Sequence, residues 1–368
     1  MSEFSATDCV HMARALRLAE RGQYSAHPNP MVGCVLVRDG EVVGEGWHKV
    51  AGEAHAEINA LHAAGMKASG ATAYVTLEPC AHHGKTPPCA AALVDAGVAE
   101  VVVALRDPNP EVNGQGLRAL AGAGIRTRVG LMDGEVKRLL RGFLSRVTRQ
   151  QPFVRLKMAS SLDGCIAMAT GESQWITGAD ARADVQRLRA RSGAIMTGIG
   201  TVLADDPSLT VRDTSLDTEG KQPLRVVLDR NLRMPLSAEM LALAGRTLVY
   251  CRSDKNRQAL VEAGAQVIKV EGDRDTVDAK AVLHDLAERQ VNDVLVEAGP
   301  RLAGNLIENG LVDELVIYQS PHIMGSETIG MFRTPTWTKL ADRRALEISD
   351  VRRVGADTRI TARLTGQE

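Results

Sequence analysis

The sequence predicts a two-domain α/β protein whose first domain is built on a mixed sheet. Three observations carry this. The chain has 368 residues, more than one hydrophobic core usually supports, which favours two domains of roughly 150 to 220 residues. Short apolar runs of strand character alternate with helical patterns along its length, the signature of largely parallel sheets covered by helices on both faces. The first two such runs are separated only by Asp39-Gly40, a pair that favours positive φ and a tight antiparallel hairpin.

Taken in order, residues 8–21 place Val10, Ala13, Leu16 and Ala19 on one side of a helix that stops at Gly22. Met31–Arg38 and Glu41–Trp47 are the hairpin strands. A helix over 55–64 leads to the strand Ala73–Leu77, a helix over 89–96 and the strand Glu100–Leu105. A helix over 116–123 and a short strand over 126–130 close the series. Residues 133–149 read as one amphipathic, basic helix whose charge run is a solvated face. Gln150-Gln151-Pro152 has no helical character, so the boundary is placed there, with domains 1–149 and 150–368. In the second half, strands are expected near 153–160, 194–198, 225–229, 247–251 and 293–297, and helices near 180–191, 280–289 and 300–309. The tail is β-rich at 314–318 and 345–364, and the polar segment 213–222 reads as an exposed loop.

With 44% hydrophobic and 24% charged residues, the composition is that of an ordinary globular protein. Lys and Arg total 44 against 45 for Asp and Glu, so no polyanion-binding surface is advertised. Aromatics at 3% leave few stacking platforms for single strands, and no nucleic-acid partner is expected. No apolar run approaches the ~18 residues of a bilayer span. Met1–Ser5 shows neither a basic nor an apolar leader region, so no membrane partner and a cytoplasmic location are expected. Six cysteines in 368 residues do not make a disulfide scaffold. The clustered pair, Cys80 and Cys89, points to metal or catalysis instead.

The sharpest signal is His55-Ala56-Glu57 followed, one helix and one strand later, by Pro79-Cys80 and Cys89. One imidazole and two thiolates fill three corners of a tetrahedral zinc site and leave the fourth for water, the pattern of a catalytic metal. Zinc brings the pKa of water from 15.7 to about 7, and Glu57, off the metal, is placed to shuttle its proton. This is the arrangement of the zinc nucleobase deaminases, except that eight residues rather than two separate the cysteines. Taken singly, His-x-Glu is uninformative and Cys89 before an alanine-rich helix reads as an ordinary buried thiol. His82 and His83 lie in the intervening loop as competing ligands or as solvent-facing residues.

In the second half, Gly198-Ile199-Gly200-Thr201-Val202-Leu203 lacks the third glycine of a dinucleotide fingerprint. The strand Val294–Glu297 turning through Ala298-Gly299-Pro300 into a helix is better placed to hold a phosphate, although such turns also simply start helices. Ser160–Gly164 and Thr201–Arg212 are dense in polar groups, with Asp205-Asp206 flanked by apolar residues as at a site rim or a turn. Lys157 and Asp205 are candidate general acids of this half, and Lys157 reads equally as a strand-end surface charge.

From His27-Pro28-Asn29-Pro30 through Val296-Glu297-Ala298-Gly299-Pro300 to the tail, the chain resembles the bifunctional deaminase/reductase family of riboflavin biosynthesis, the RibD family. The run Pro79-Cys80-Ala81-His82-His83-Gly84-Lys85-Thr86-Pro87-Pro88-Cys89 looks like that family's own spacing. The resemblance implies a cytidine-deaminase-like αβα domain followed by a dihydrofolate-reductase-like α/β domain. It implies two reactions on a small pyrimidine ribose phosphate: zinc-dependent hydrolysis of its 2-amino group, then NADPH-dependent reduction of the ribosyl group to ribityl. A homo-oligomer is expected.

Carried over residue by residue, the resemblance makes His55, Cys80 and Cys89 the zinc ligands and Glu57 the proton shuttle. Asn29, His48, Lys85 and Asn109 would face the deaminase substrate. Ala159, Trp175, Thr201, Asp205 and the turn Gly299, Pro300, Arg301, Leu302, Ala303, Gly304 and Asn305 would face NADPH. Ser173, Arg189, Leu209, Arg212 and Glu297 would face the reductase substrate, with Arg189 and Arg212 as guanidinium clamps on its phosphate. Asp229-Arg230 departs from the small polar residue such proteins often carry near the cofactor. Two other readings stand beside this one: a nucleoside or nucleic-acid deaminase fused to an unrelated ligand-binding module, and a structural zinc beside a binding module. A structural zinc normally takes four protein ligands.

Overall fold

The first helix begins where the Ser5 hydroxyl accepts the Asp8 N–H at 3.1 Å and the Asp8 carboxylate accepts the Ser5 N–H at 2.8 Å, a reciprocal cap that satisfies two otherwise orphaned groups. The structure, a computed structural model, describes residues 4–81, 88–110, 112–270 and 276–365. It divides into two compact units, Met1–Gln150 and Gln151–Glu368.

The first unit runs α1 (Ala6–Ala19), β1 (Gly33–Arg38), β2 (Glu41–Trp47), α2 (Ala56–Ala64), β3 (Thr72–Leu77), α3 (Cys89–Asp95), β4 (Glu100–Leu105), α4 (Gln115–Gly122), β5 (Arg126–Val129), α5 (Asp133–Leu139) and α6 (Arg141–Arg149). Its sheet has the order β2-β1-β3-β4-β5, with β1 antiparallel to β2 and β3 and the remaining pairs parallel. Asp39 and Gly40 take φ of 52° and 81°, the left-handed pair that the tight hairpin requires. Strand alternation then sorts the core. Cys34, Leu36, Ala73, Val75, Val101 and Val103 pack with residues of α2, α3 and α4, while Val35, Val37, Tyr74, Val102 and Ala104 pack with α1, α5 and α6, giving helix, sheet and helix layers.

The single helix expected over 133–149 is instead two. Leu140 leaves the helical region with φ −95° and ψ 13°. Val136, Leu140 and Phe143, on either side of the break, bury in one core, the i, i+4, i+7 spacing of a single helix face.

The second unit runs β6 (Phe153–Ser160), β7 (Cys165–Ala167), α7 (Ala179–Ala190), β8 (Ala194–Gly198), α8 (Ile199–Asp205), β9 (Leu224–Leu228), α9 (Glu239–Ala242), β10 (Thr247–Cys251), α10 (Arg257–Glu262), β11 (Ala265–Lys269), α11 (Ala279–Glu288), β12 (Asp293–Glu297), α12 (Pro300–Glu308), β13 (Glu314–Gln319), β14 (Ile329–Gly330), β15 (Leu346–Val354) and β16 (Asp357–Leu364). Its main sheet has the order β11-β10-β9-β8-β12-β6-β13-β16-β15. The strands from β11 to β13 are all parallel, and β16 and β15 add an antiparallel hairpin at one edge. The short elements α8, α10 and β11 are absent from the sequence-based expectation. In an open parallel sheet, ligands gather outside the carboxyl ends of the strands, here after Gly198, Leu228 and Glu297. Among the described residues, no helix is long and apolar enough to cross a membrane.

Candidate active sites

Two helix starts and one strand end build the first site. His55 caps α2 with extended backbone, φ −74° and ψ 168°, so its side chain projects ahead of the helix while Glu57 enters the first turn at 3% exposure. The depth of α2 is set by Gly46. A Cβ there would lie 2.4 Å from the Ala56 carbonyl oxygen, so only glycine lets α2 settle onto β2 at this height. Cys80 follows the end of β3, and Cys89 is the first residue of α3. The Cys89 N–H donates to the Cys80 sulfur at 3.3 Å.

His55 Nδ1 lies 3.3 Å from Cys89 Sγ and 3.6 Å from Cys80 Sγ, and all three ligand atoms lie within 4.8 Å of one another. A tetrahedral zinc with bonds of about 2.1 Å to nitrogen and 2.3 Å to sulfur needs nitrogen–sulfur separations of about 3.6 Å. The donor set therefore fits the ion in both distance and chemistry. Hydrogen bonding from Cys89, with His55 beside it, holds the Cys80 thiol down to about 4, well below its ordinary range, the anionic state a metal ligand needs. Burial, with the Cys80 sulfur next to it, lifts the Glu57 carboxyl to about 7.

Beside this cluster, His48 Nδ1 faces the Ala54 carbonyl at 3.2 Å and its Nε2 faces Asn29 Nδ2 at 3.0 Å. A carbonyl only accepts, so Nδ1 carries the proton and Nε2 accepts from Asn29. The His48 ring meets His55 edge-on at 5.3 Å, which brings Asn29 and His48 to the metal ligands. Lys85, His82 and His83 lie outside the described residues.

Asn109 sits in the loop after β4, where its N–H donates to Asp107 at 2.8 Å. That loop is held by a residue sequence reasoning missed. Glu78, 4% exposed, accepts the backbone N–H groups of Asp107, Gly114, Gly116 and Leu117 at 3.2, 3.0, 3.0 and 3.3 Å. One buried carboxylate thereby gains the several hydrogen bonds its charge requires and ties the Asn109 loop to the strand end two residues before Cys80. The only signal available was its place beside Pro79-Cys80.

The second unit holds a cavity of about 1420 Å³, above the ~300–1000 Å³ of most single-ligand sites and so fitted to a dinucleotide together with a substrate. Of the expected positions, Ala159, Ser173, Trp175, Thr201, Asp205, Leu209, Arg212, Gly299, Pro300, Arg301, Leu302 and Asn305 line it, as do Arg189 and Glu297. Ala303 and Gly304 do not. They fall on the inner face of α12, where Ala303 joins the core and a Cβ on Gly304 would meet the Arg333 carbonyl oxygen at 2.1 Å. A helix shows one face to a cavity every 3.6 residues, which turns Ala303 and Gly304 inward while Arg301, Leu302 and Asn305 face the cavity.

Arg189 lines the cavity with its guanidinium engaged by the protein. Its Nε and Nη2 donate to Glu297 at 2.6 and 3.0 Å, and its Nη1 donates to the Thr210 carbonyl at 3.0 Å. The fork is thus occupied by a carboxylate and a carbonyl of the protein itself, while Arg212, exposed at the rim, donates its Nη1 to the Ser208 hydroxyl at 2.5 Å. Lys157 lines the same floor, and burial lowers its ammonium group's pKa. The Gly299 N–H donates to the Thr201 hydroxyl at 3.2 Å, joining the starts of α8 and α12.

Residues 5–105 match the cytidine and deoxycytidylate deaminase zinc-binding region, and residues 152–359 match the RibD C-terminal domain. The riboflavin biosynthesis protein RibD of Escherichia coli is 48% identical over 359 residues, covering 95% of this chain and 97% of that protein. The chain belongs to the RibD family. The solved RibD of Acinetobacter baumannii is 45% identical, with a TM-score of 0.92 over 98% of this chain and 99% of that one. A solved protein of Thermotoga maritima, named as a diaminohydroxyphosphoribosylaminopyrimidine deaminase and 5-amino-6-(5-phosphoribosylamino)uracil reductase, is 34% identical, with a TM-score of 0.85 over 97% of this chain and 99% of that one. RibD proteins join a zinc-binding deaminase domain to an NADPH-dependent reductase domain in riboflavin biosynthesis, and this chain is a bifunctional enzyme of that kind. The match over 152–359 sets aside an unrelated module in the second half.

Proposed function

We propose that residues 1–149 carry the deaminase and 150–368 the reductase, with His55, Cys80 and Cys89 as the zinc ligands and the 1420 Å³ cavity as the NADPH and substrate site. The observation that carries the reading is the triangle of one imidazole nitrogen and two sulfurs closed beside a buried carboxyl outside it. Zinc supplies Lewis acidity that makes water acidic near neutrality. Glu57, lifted to about 7, is poised both to take a proton from the attacking water and to give one to the departing ammonia. Asn29 and His48, with Lys85 and Asn109, orient 2,5-diamino-6-ribosylamino-4(3H)-pyrimidinone 5′-phosphate.

In the second half, NADPH supplies the hydride. The N–H groups of Arg301 and Leu302 and the hydroxyl of Thr201 offer donors to its phosphates. Ala159, Trp175, Asp205 and Asn305 complete that wall. Arg212 binds the substrate phosphate, Ser173 and Leu209 frame the substrate, and Arg189 fixes the Glu297 carboxylate against it. A coupled assay tests the whole reading: the pathway substrate should release ammonia and then oxidise NADPH. Treatment with a zinc chelator should stop ammonia release while the pre-deaminated substrate is still reduced at an unchanged rate. Ammonia release that survives complete removal of zinc would overturn it.

The enzyme works in the cytoplasm as a homo-oligomer, a reading supported by β15. Cross-strand pairing sets Leu346, Ile348 and Val351 opposite Leu364, Ala362 and Ile360, and the extra residue Ser349 keeps all three on one face. They are 44%, 59% and 58% exposed on the edge strand of the sheet, an apolar strip that favours association. Sedimentation of wild type as an oligomer and of Ile348→Lys/Val351→Lys as a monomer is expected. A monomeric wild type refutes it.

A further inference from the structure

The segment Ser173–Gly178 belongs to neither helix nor strand, yet Ser173, Gln174, Trp175, Ile176 and Thr177 all line the reductase cavity. A stretch of this kind keeps one shape only where groups outside it take up its polar atoms. Three residues do so here. The Ser173 hydroxyl hydrogen-bonds the Asp205 carboxylate at the end of α8. Arg182, in the first turn of α7, donates its Nη1 to the Thr177 carbonyl at 2.6 Å and sets its guanidinium carbon 4.7 Å from the centre of the Trp175 ring. The Gly178 N–H donates to Asp357 Oδ2 at 2.8 Å. That last partner comes from β16, and among the described residues neither β16 nor its hairpin partner β15 contributes to the cavity wall.

Asp357 is 2% exposed, and a carboxylate taken out of water demands a donor. Its donor is the peptide that opens α7, where the helix dipole also favours a negative charge. The hairpin meets α7 closely. Gly355 has φ 62°, and a Cβ there would lie 2.3 Å from Asp180 Oδ2, so only glycine lets the hairpin turn seat on the first turn of α7. Arg182 acts on the same segment one residue earlier, at the Thr177 carbonyl, and its cation is drawn to the electron-rich face of the Trp175 indole. Trp175 is 69% exposed, so this cation rather than burial keeps the large ring in the wall. We propose that Arg182 and Asp357 are positioning residues of the reductase, which hold Ser173–Gly178 so that the Trp175 ring stands ready for the cofactor. This rests on the assignment of Trp175 to the NADPH wall. A ring fixed before the cofactor arrives loses less freedom on binding, and affinity rises accordingly.

The test is titration of the full-length enzyme with NADPH, with ammonia release followed in parallel. Arg182→Met keeps the length of the side chain, removes its charge, and should weaken NADPH by about 3- to 10-fold. Asp357→Ala should weaken it by about 3- to 10-fold as well, while Asp357→Asn, which keeps an acceptor for Gly178, should stay within about twofold of wild type. Both losses should vanish when Trp175 is already Ala, the mark of residues that act through the ring. In a Trp47→Phe/Trp337→Phe background Trp175 is the sole tryptophan, and Arg182→Met should lower its fluorescence anisotropy. Ammonia release by Arg182→Met and Asp357→Ala should keep the wild-type rate. The proposal is overturned if NADPH affinity and anisotropy match wild type, or if the losses simply add to that of Trp175→Ala. Should Asp357→Ala fail to fold, Asp357→Ser, whose hydroxyl is shorter than the carboxylate arm, takes its place and is judged by the same outcomes. Trp175→Ala that binds NADPH as wild type does would bring down the assignment of the ring to the cofactor wall. That result is distinct from Trp175→Ala weakening NADPH while Arg182→Met and Asp357→Ala do not, which overturns the positioning role alone.

Discussion

Glu57→Gln is expected to slow ammonia release by on the order of 10³-fold while NADPH oxidation on the pre-deaminated substrate stays at the wild-type rate. The substitution keeps size and hydrogen-bonding reach and removes only the capacity to carry a proton. That capacity is tuned by position. Burial in the first turn of α2, together with the neighbouring sulfur of Cys80, raises the carboxyl to about 7, which favours its holding a proton more than an ordinary glutamate does. Because the carboxylate stands outside the His55, Cys80 and Cys89 triangle, metal analysis of the variant should still find one zinc per chain. Deamination at the parental rate would remove Glu57 from the chemistry, and loss of zinc would make it a ligand.

The second large effect is expected at Arg189→Met, which should lower the unfolding free energy of the reductase half by about 3–5 kcal/mol and abolish NADPH oxidation. Burial alone would raise the Glu297 carboxyl, but the Arg189 guanidinium, with Lys157 and Arg212 nearby, holds it below its ordinary value. Without Arg189 that charge is left in the cavity floor with no bidentate partner. Glu297→Gln added to Arg189→Met should recover part of the lost stability, though not the activity, which calorimetry and a NADPH assay separate. The sign of the pH dependence follows from the depressed carboxyl. The pair's contribution in wild type is fully present above the unfolded carboxylate value and is lost as pH falls through the lower folded one. The difference in melting temperature between wild type and Arg189→Met should therefore shrink in acid. A gap that is constant or widens with acid would refute the pair as its source.

Much of this was legible in the chain. The spacing of His55, Glu57, Cys80 and Cys89 encodes a cap, a first turn, a strand end and a helix start, all local features, and local features are what periodicity and turn chemistry report. What escaped depends on distant partners. Glu78 gains its meaning from donors 29 to 39 residues away. The carboxylate in the fork of Arg189 comes from Glu297, 108 residues on. The edge strand β11 and the short helices α8 and α10 are brief, and brief elements carry too little periodicity to separate from turns. At Leu140 the helical periodicity of residues 133–149 runs on through the break, with Val136, Leu140 and Phe143 still on one face, so periodicity could not reveal it.

The Glu78 carboxylate has one further consequence. It fastens the loop of Asn109 and the peptide leading to Cys80 to a single pair of oxygens, so the two cannot drift independently. Whatever draws that loop inward pulls on a sulfur, and whatever tightens the sulfur steadies the loop. By reciprocity of linked equilibria, whatever effect occupancy at one place has on grip at the other is returned by the same factor.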